Sequence, residues 1–336
     1  MFALRGIAVS LSVFVIVYGV LSFALSLGWR MVWQHSQGHP VRRVADLLFA
    51  MRMFPLVTAA VITAIFTVPS FLLLEPRAID EPLGAIPLAL GIFGAGLGFF
   101  GVANAALALR RVSRTVARWT AAAQPVDSGV PVPVLRISPG VSAMKTRSAN
   151  LPATAFPPMT AAGIVRPRVL LSSVAESMLT ANELQTALKH EVAHVRRRDN
   201  LKKLLLRFVA FPGMASLEAA WLEATEMAAD EAAVSSAGEA LDLATALIKL
   251  SRLVRAESAS GQAVADLTAA LVHSNVSVMN ARVERLIAWS DRRVASCREF
   301  SAWYGLAAAL ATVALFGVTY TQLLVRVHTA TEWLVR

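Results

Sequence analysis

Charge is scarce in this chain. Of its 336 residues only 16% are charged, whereas 56% are hydrophobic, which excludes both an ordinary water-soluble globule and a disordered chain. Acid is scarcer than base: 22 Asp and Glu face 32 Lys and Arg, a formal net charge of +10. Cysteine is nearly absent, and the single Cys297 rules out an intrachain disulfide and fits a reducing compartment. Histidine is rare too, six in all, so any patterned pair of them is informative. No basic and aromatic interleaving accompanies the positive surplus, so direct nucleic-acid binding is not expected. Membrane orientation and attraction to anionic headgroups account for the charge instead.

Long apolar runs are what the sequence has in quantity. About 20 such residues cross a bilayer as a helix, and four stretches qualify: residues 6–29, 53–74, 82–109 and 300–325. The first is too long for the apolar core of a signal peptide, and no small-x-small cleavage site follows it. Pro55 and Pro69 are placed to kink the second, and Gly91, Gly94, Gly96 and Gly98 give the third a small-residue face for close packing. Arginine sets the orientation, because short cytoplasmic loops collect it. Arg30, Arg42, Arg43 and Arg52 follow the first run, Arg110, Arg111, Arg114 and Arg118 follow the third, and Arg292, Arg293 and Arg298 precede the fourth. The turn between the second and third is acidic, with Glu75, Asp80 and Glu81 against Arg77. The expected architecture is therefore an α-helical membrane protein with its N-terminus outside. It has an N-terminal membrane region over 1–110, a cytoplasmic domain over 111–299, a fourth span over 300–325 and a short outer tail over 326–336. The spans lack the buried charges of an ion or proton path, which argues against a transporter.

Within the cytoplasmic segment, a region punctuated by Pro, Ser and Gly runs from about 124 to 168 and then gives way to helical, charged sequence. "VPVLRIS" and "GIVRPRVLLS" read as short strands of a small sheet. "TANE" sets Thr180 as an N-cap with Glu183 three residues on, a capping box that opens a helix. Along that helix Leu184, Leu188, Val192 and Val195 form one stripe, and Ala187, His190, His194 and Arg197 form another. "HEVAH" thus points two imidazoles the same way from successive turns, with Glu191 on their flank. This is the HExxH arrangement, which supplies two ligands of a catalytic zinc and a base for its water. His35 and His39 have the same spacing, but Gly38 and Pro40 spoil the helix and no carboxylate lies between them, so they read as loop. A third ligand is expected in "SLEAAWLEATEMAADEAAV". Glu223, Glu226 and Asp230 share a face there, and periodicity does not choose among them.

"HEVAHVRRRDN" followed by "EMAADEAA" resembles the membrane zinc peptidases of the β-lactam sensor-transducer (antirepressor) type. The resemblance is specific around 164–234 and architectural elsewhere. It implies a cytoplasmic α+β gluzincin-like peptidase domain between spans three and four, binding one Zn2+ per chain. By that likeness His190 and His194 are zinc ligands, Glu191 is the catalytic base, and the E-x-x-A-D match makes Glu226 the third ligand. Asp199 and Asp230 become carboxylates that support the ligands. Gly163, Ile164, Val165, Val169 and Leu171 would lie along the substrate cleft, on a strand able to pair with an extended substrate. Two departures are expected: an extracellular penicillin-binding sensor domain is not expected after the fourth span, and the segment between the ligand helices is reduced to "FVAFPGMAS". Sensing of β-lactams by that route is therefore not expected.

The expected function is a zinc endopeptidase of the bacterial inner membrane that cuts a cytoplasmic protein, such as a winged-helix repressor, in a signalling pathway. Self-cleavage and a homodimer are compatible with the sequence. The residues 291–299 before the fourth run are exposed in this reading, but a solvated juxtamembrane role fits them better than a scissile one. A membrane quality-control protease would use the same chemistry on many unfolded chains. A non-catalytic scaffold with a structural zinc would have no need of Glu191.

Overall fold

The computed structural model describes residues 2–36, 39–75, 84–121, 123–137, 157–208, 213–258, 269–270, 276–291 and 320–333. Cys297, most of the acidic turn, the run 292–299 and residues 300–319 of the expected fourth span lie outside them. Two compact units divide the chain. One comprises Met1–Met31, Met51–Gly101 and Arg293–Arg336, the other Val32–Ala50 and Val102–Arg292.

The first unit holds most of the apolar helices. Helix α1 is Phe2–Ser36, α2 is Val41–Ile62, a π-helical turn covers Thr63–Thr67, α3 is Val68–Leu74 and α4 is Ala85–Thr120. Three stretches, Phe2–Gln34, Val41–Leu74 and Ala85–Thr120, are long and apolar enough to cross a membrane. Each outruns the span expected from composition. His35 closes α1 and His39 lies beyond it in a bend, so the two do not share a helix face. Pro55 is accommodated inside α2, and the irregularity falls further on, at the π-turn before Pro69. Pro69 has no N–H to offer the Ile65 carbonyl, which accepts a hydrogen bond from Tyr320 Oη at 2.9 Å. Of the four glycines Gly91, Gly94, Gly96 and Gly98 on α4, the first two face a described neighbour closely. A Cβ on Gly91 would meet Ala8 backbone at 3.1 Å and one on Gly94 would meet Val15 at 2.9 Å, while Gly96 and Gly98 have no described residue within 4 Å. Residues 320–333 are helical, so helix continues past the expected end of the fourth span at 325.

The second unit is built on a five-stranded sheet: β1 Gln124–Val126, β2 Val134–Ile137, β3 Met159–Ala162, β4 Arg168–Ser172 and β5 Ala269–Ala270, in the order β1-β2-β4-β3-β5. Only β2 and β4 run parallel, and the other pairs are antiparallel. Its helices are α5 Ser173–Met178, α6 Ala181–Arg197, α7 Asp199–Phe208, α8 Ala215–Ala233, α9 Ala237–Ser258 and α10 Val276–Ile287. Both sheet faces are covered, which explains why β4 reads as a continuous apolar run. Val169 and Leu171 pack with Ala187 and Leu188 of α6 and Leu243, Leu247 and Leu250 of α9. Leu170 points the other way, into a cluster with Ile137, Ala162 and Trp119 near the end of α4.

This unit also claims residues on the membrane side of the expected boundary at 110. The reason is local packing. Asp46 of α2 lies 3.0 Å from Lys202 Nζ and 3.6 Å from Arg197, and Phe49 packs on Trp221 with ring centroids 5.9 Å apart. Asn104 of α4 donates to the Arg207 carbonyl at 2.8 Å.

The sequence treats "GIVRPRVLLS" as one strand, but the structure makes Gly163–Pro167 a turn between β3 and β4. Gly163 has φ +94, and a Cβ there would sit 2.7 Å from the Arg166 carbonyl oxygen, a position that only glycine takes without strain. Val165, at the tip, is 89% exposed.

Candidate metal centre

Helix α6 starts as its sequence dictates. The Thr180 N–H donates to Glu183 Oε2 at 2.8 Å, and the Glu183 N–H donates back to Thr180 Oγ1 at 3.4 Å. Lys249 from α9 grips the same carboxylate at 2.7 Å, and although burial opposes it, this contact holds Glu183 below the usual carboxylate range. A helix locked at this end presents its HExxH turns in a fixed rotation against β3 and α8.

His190, Glu191 and His194 are all buried. The two imidazoles converge with Nε2 atoms 3.1 Å apart, and Glu226 of α8 sets Oε2 3.6 Å from His190 Nε2 and Oε1 3.6 Å from His194 Nε2. Among the described residues of this unit, these three form the one group able to hold a metal ion. Glu223 and Asp230, which periodicity leaves level with Glu226, take other places. Asp230 Oδ1 lies 2.9 Å from His190 Nδ1, and Glu223 is not among the three.

Asp199 Oδ2 lies 2.8 Å from His194 Nδ1. In a continuous helix a residue five positions on would point about 140° away. The geometry is rescued by Arg198, whose left-handed backbone (φ 55, ψ 39) ends α6 and starts α7 in a new direction. Asp199 is in turn 3.6 Å from Arg197 and 3.9 Å from Lys202, the two cations that also meet Asp46.

Glu191 hangs on the sheet. Its Oε2 accepts from the Ala161 N–H of β3 at 2.6 Å, while the buried Oε1 has no hydrogen-bond partner among the described residues. Burial lifts its carboxyl above the ordinary range against the pull of the two histidines. Asn200 steadies the same strand, donating to the Ala161 carbonyl at 3.0 Å and to that of Gly163 at 3.3 Å. Sequence reasoning missed Asn200; its adjacency to Asp199 in "RDN" is the only local signal.

A second residue missed is Arg282 of α10. It is 1% exposed, donates to both oxygens of Asp230 at 2.7 Å and reaches Glu226 Oε2 at 3.2 Å. Despite burial, Arg282 and His190 hold Asp230 down at about 2, and His194, His190 and Arg282 keep Glu226 well below its usual value. Burial disfavours charge on the imidazoles, but Glu226 and Asp199 outweigh it and raise His194 to about 10. His190 is raised by Asp230 and Glu226 against the same penalty.

The residues fit a metal. Ligand bonds of about 2.0–2.2 Å place neighbouring donors of a tetrahedral site roughly 3.3 Å apart, close to the 3.1 and 3.6 Å seen here. Two nitrogens and a carboxylate, with a further carboxylate oxygen 2.9 Å from His190 Nδ1 and 2.8 Å from His194 Nδ1, match the donor chemistry of zinc and its supporting shell.

The cleft assigned to β4 needs correction. Both edges of β4 are already paired, to β2 and to β3, so Val169 and Leu171 face the core and no substrate strand can join there. The strand beside Glu191 is β3, and its outer edge at Thr160 and Ala161 pairs with β5. Gly163, Ile164 and Val165 occupy the turn at the end of β3 rather than a strand.

The sequence profile of the family described as BlaR1 peptidase M56 matches residues 81–274, more than half of the chain. The chain belongs to this family. No curated protein and no solved structure matches it. Membership makes the chain a membrane peptidase of the BlaR1 type, consistent with three helices long and apolar enough to span a bilayer. The matched residues include His190, His194 and Glu226 and stop short of α10.

Proposed function

We propose that this protein is a zinc endopeptidase whose HExxH helix works on the cytoplasmic side of a bacterial inner membrane. The observation that carries the reading is the convergence of His190, His194 and Glu226 beside a buried Glu191 whose Oε1 has no partner among the described residues. In this reading His190, His194 and Glu226 hold the zinc, and the domain belongs to the gluzincin type. A bound zinc would supply Lewis acidity toward a scissile carbonyl and an attacking water.

The chain's own residues do the rest. Asp230 and Asp199 fix the two rings through Nδ1, leaving each Nε2 free to face the cation. Glu191 Oε1 takes the proton of the attacking water and returns it to the departing amine, a shuttle suited to a carboxyl lifted by burial. The Ala161 N–H keeps that carboxylate from rotating away. An extended substrate segment would lie along the outer edge of β3, in place of β5.

The arginine distribution supports a topology with residues 111–299 in the cytoplasm and a fourth span over 300–325. The substrate that fits this placement and the family is a cytoplasmic regulator, such as a winged-helix repressor, cut to pass on a signal. The deciding experiment compares wild type with Glu191→Ala at matched levels in membranes, measuring bound zinc and new protein termini. Zinc in both with a single regulator cut only by wild type supports the proposal, and many unfolded proteins cut would point to quality control. Zinc in both with identical termini would leave a structural metal, and no zinc in either would overturn the ligand set.

A further inference from the structure

Arg282 lies outside the residues shared with the family profile, yet it holds two acids of the metal shell at once. Glu226 and Asp230 sit one turn apart on α8, and the guanidinium spans them. Nε and Nη2 fork onto Asp230 at 2.7 Å each, and Nη1 turns to Glu226 Oε2 at 3.2 Å. Such a planar fork fixes the orientation of a carboxylate as well as its charge.

Each contact bears on a different ligand. Asp230 shares Oδ1 between Arg282 and His190 Nδ1, so the orientation of the His190 ring depends on where the arginine holds Asp230. Glu226 Oε2 lies 3.2 Å from Arg282 and 3.6 Å from His190 Nε2, while Oε1 faces His194 at 3.6 Å. Glu191, Glu226, Asp199 and Asp230 place four carboxylates around the centre, with Arg282 set against Glu226 and Asp230 and Arg197 and Lys202 against Asp199. An uncompensated buried charge is strongly destabilising, so the arginine lets the acids stand in place before any metal arrives.

We infer that Arg282 is a positioning residue for the metal ligands, pre-setting Glu226 directly and His190 through Asp230. The inference rests on the assignment of His190, His194 and Glu226 as ligands. It makes the completed site depend on docking of α10, which follows the second ligand helix by some forty residues of sequence.

The test uses the full chain in detergent as wild type, Arg282→Lys, Arg282→Gln and the double variant Asp230→Asn with Arg282→Gln. Zinc affinity is measured by chelator competition and zinc release by transfer to a chromophoric chelator, alongside unfolding midpoints of the metal-free forms. Lysine keeps the charge without the fork, and the double variant removes the surplus carboxylate that would otherwise strain the fold. The expected result is a 10- to 100-fold loss of zinc affinity in all three, the usual effect of removing a support of a metal ligand. Faster release with an unchanged metal-free midpoint in Arg282→Lys would be the signature of positioning. A folded variant that binds zinc within about twofold of wild type, well inside that range, overturns the inference. So does unfolding of all three variants when metal-free wild type stays folded, since Arg282 would then be a core residue only. Absence of zinc from wild type overturns the ligand assignment itself, and this inference with it.

Discussion

His194 and Asp199 meet at 2.8 Å only because the residue between their helices, Arg198, adopts a left-handed backbone. That conformation costs a non-glycine residue about 1–2 kcal/mol, and here it turns α7 back so that its first residue meets His194 of α6. Replacing Arg198 by Gly should raise stability by about 0.5–1 kcal/mol while leaving zinc binding intact. Replacing it by Val should lower stability by more than 1 kcal/mol and loosen zinc. Unfolding midpoints and chelator competition on the two variants check both signs.

The turn at Gly163 is as restrictive. A Cβ there meets the Arg166 carbonyl at 2.7 Å and the φ of +94 is unfavourable to any side chain. Gly163→Ala should cost about 1–3 kcal/mol and shift β3, which carries the Ala161 N–H that holds Glu191. Peptidase activity should therefore fall in protein that remains folded and zinc-loaded, as measured by turnover of a peptide or protein substrate alongside bound zinc.

Metal should stabilise the second unit. With free zinc about 1,000 times its Kd, the unfolding free energy should rise by about 4 kcal/mol, and His190→Ala or His194→Ala should abolish the rise. Both imidazoles are raised in the metal-free site, so binding displaces protons and apparent affinity should increase with pH. Calorimetry in buffers of different ionisation enthalpy would count the protons, and a count of zero would contradict this arrangement.

A separate acid-sensitive contact lies on α9. Lys189 pairs with Glu239 at 2.5 Å, and together with Ser235 it depresses the Glu239 carboxyl to about 2. A depressed carboxyl stabilises the fold above its unfolded value, near 4.5, and loses that contribution as pH falls toward 2. Glu239→Gln should thus be less stable than wild type by up to about 1 kcal/mol at neutral pH, with the gap closing between pH 4.5 and 2.

The parts legible in the sequence are those written within a few residues of one another. Thr180 and Glu183 announce their reciprocal cap, and His190, Glu191 and His194 announce a metal-binding face, because helical geometry alone fixes them. The ambiguity among Glu223, Glu226 and Asp230 is different in kind, since three acids on one face are separated only by what α6 and α10 place opposite them. Strand β3 was hidden because "MTAA" has little strand character of its own and acquires it by pairing with β4. Arg282 and Asp46 were invisible as contributors because their partners lie 52 and 156 residues away. The same distance in sequence conceals the split of α2, whose first turns pack with Trp221 and Lys202.

Asp46 offers a test of that last contact. It is half exposed, so Asp46→Ala should cost no more than about 1 kcal/mol, and Asp46→Lys should cost more by setting three cations together. A double-mutant cycle with Lys202→Ala measures the pair, and a coupling indistinguishable from zero would remove Asp46 from the account of how α2 is held.

The capping box that starts α6 and the left-handed Arg198 that ends it also give the helix an electrical polarity. Aligned peptide dipoles leave about half a positive charge at the N-terminus and half a negative charge at the C-terminus. Glu183 occupies the first turn and His194 the last. The anion of the cap therefore lies at the positive pole and the turn proposed to bind a cation at the negative one. Were the HExxH turn at the start of α6, the backbone field would repel the cation proposed for those side chains.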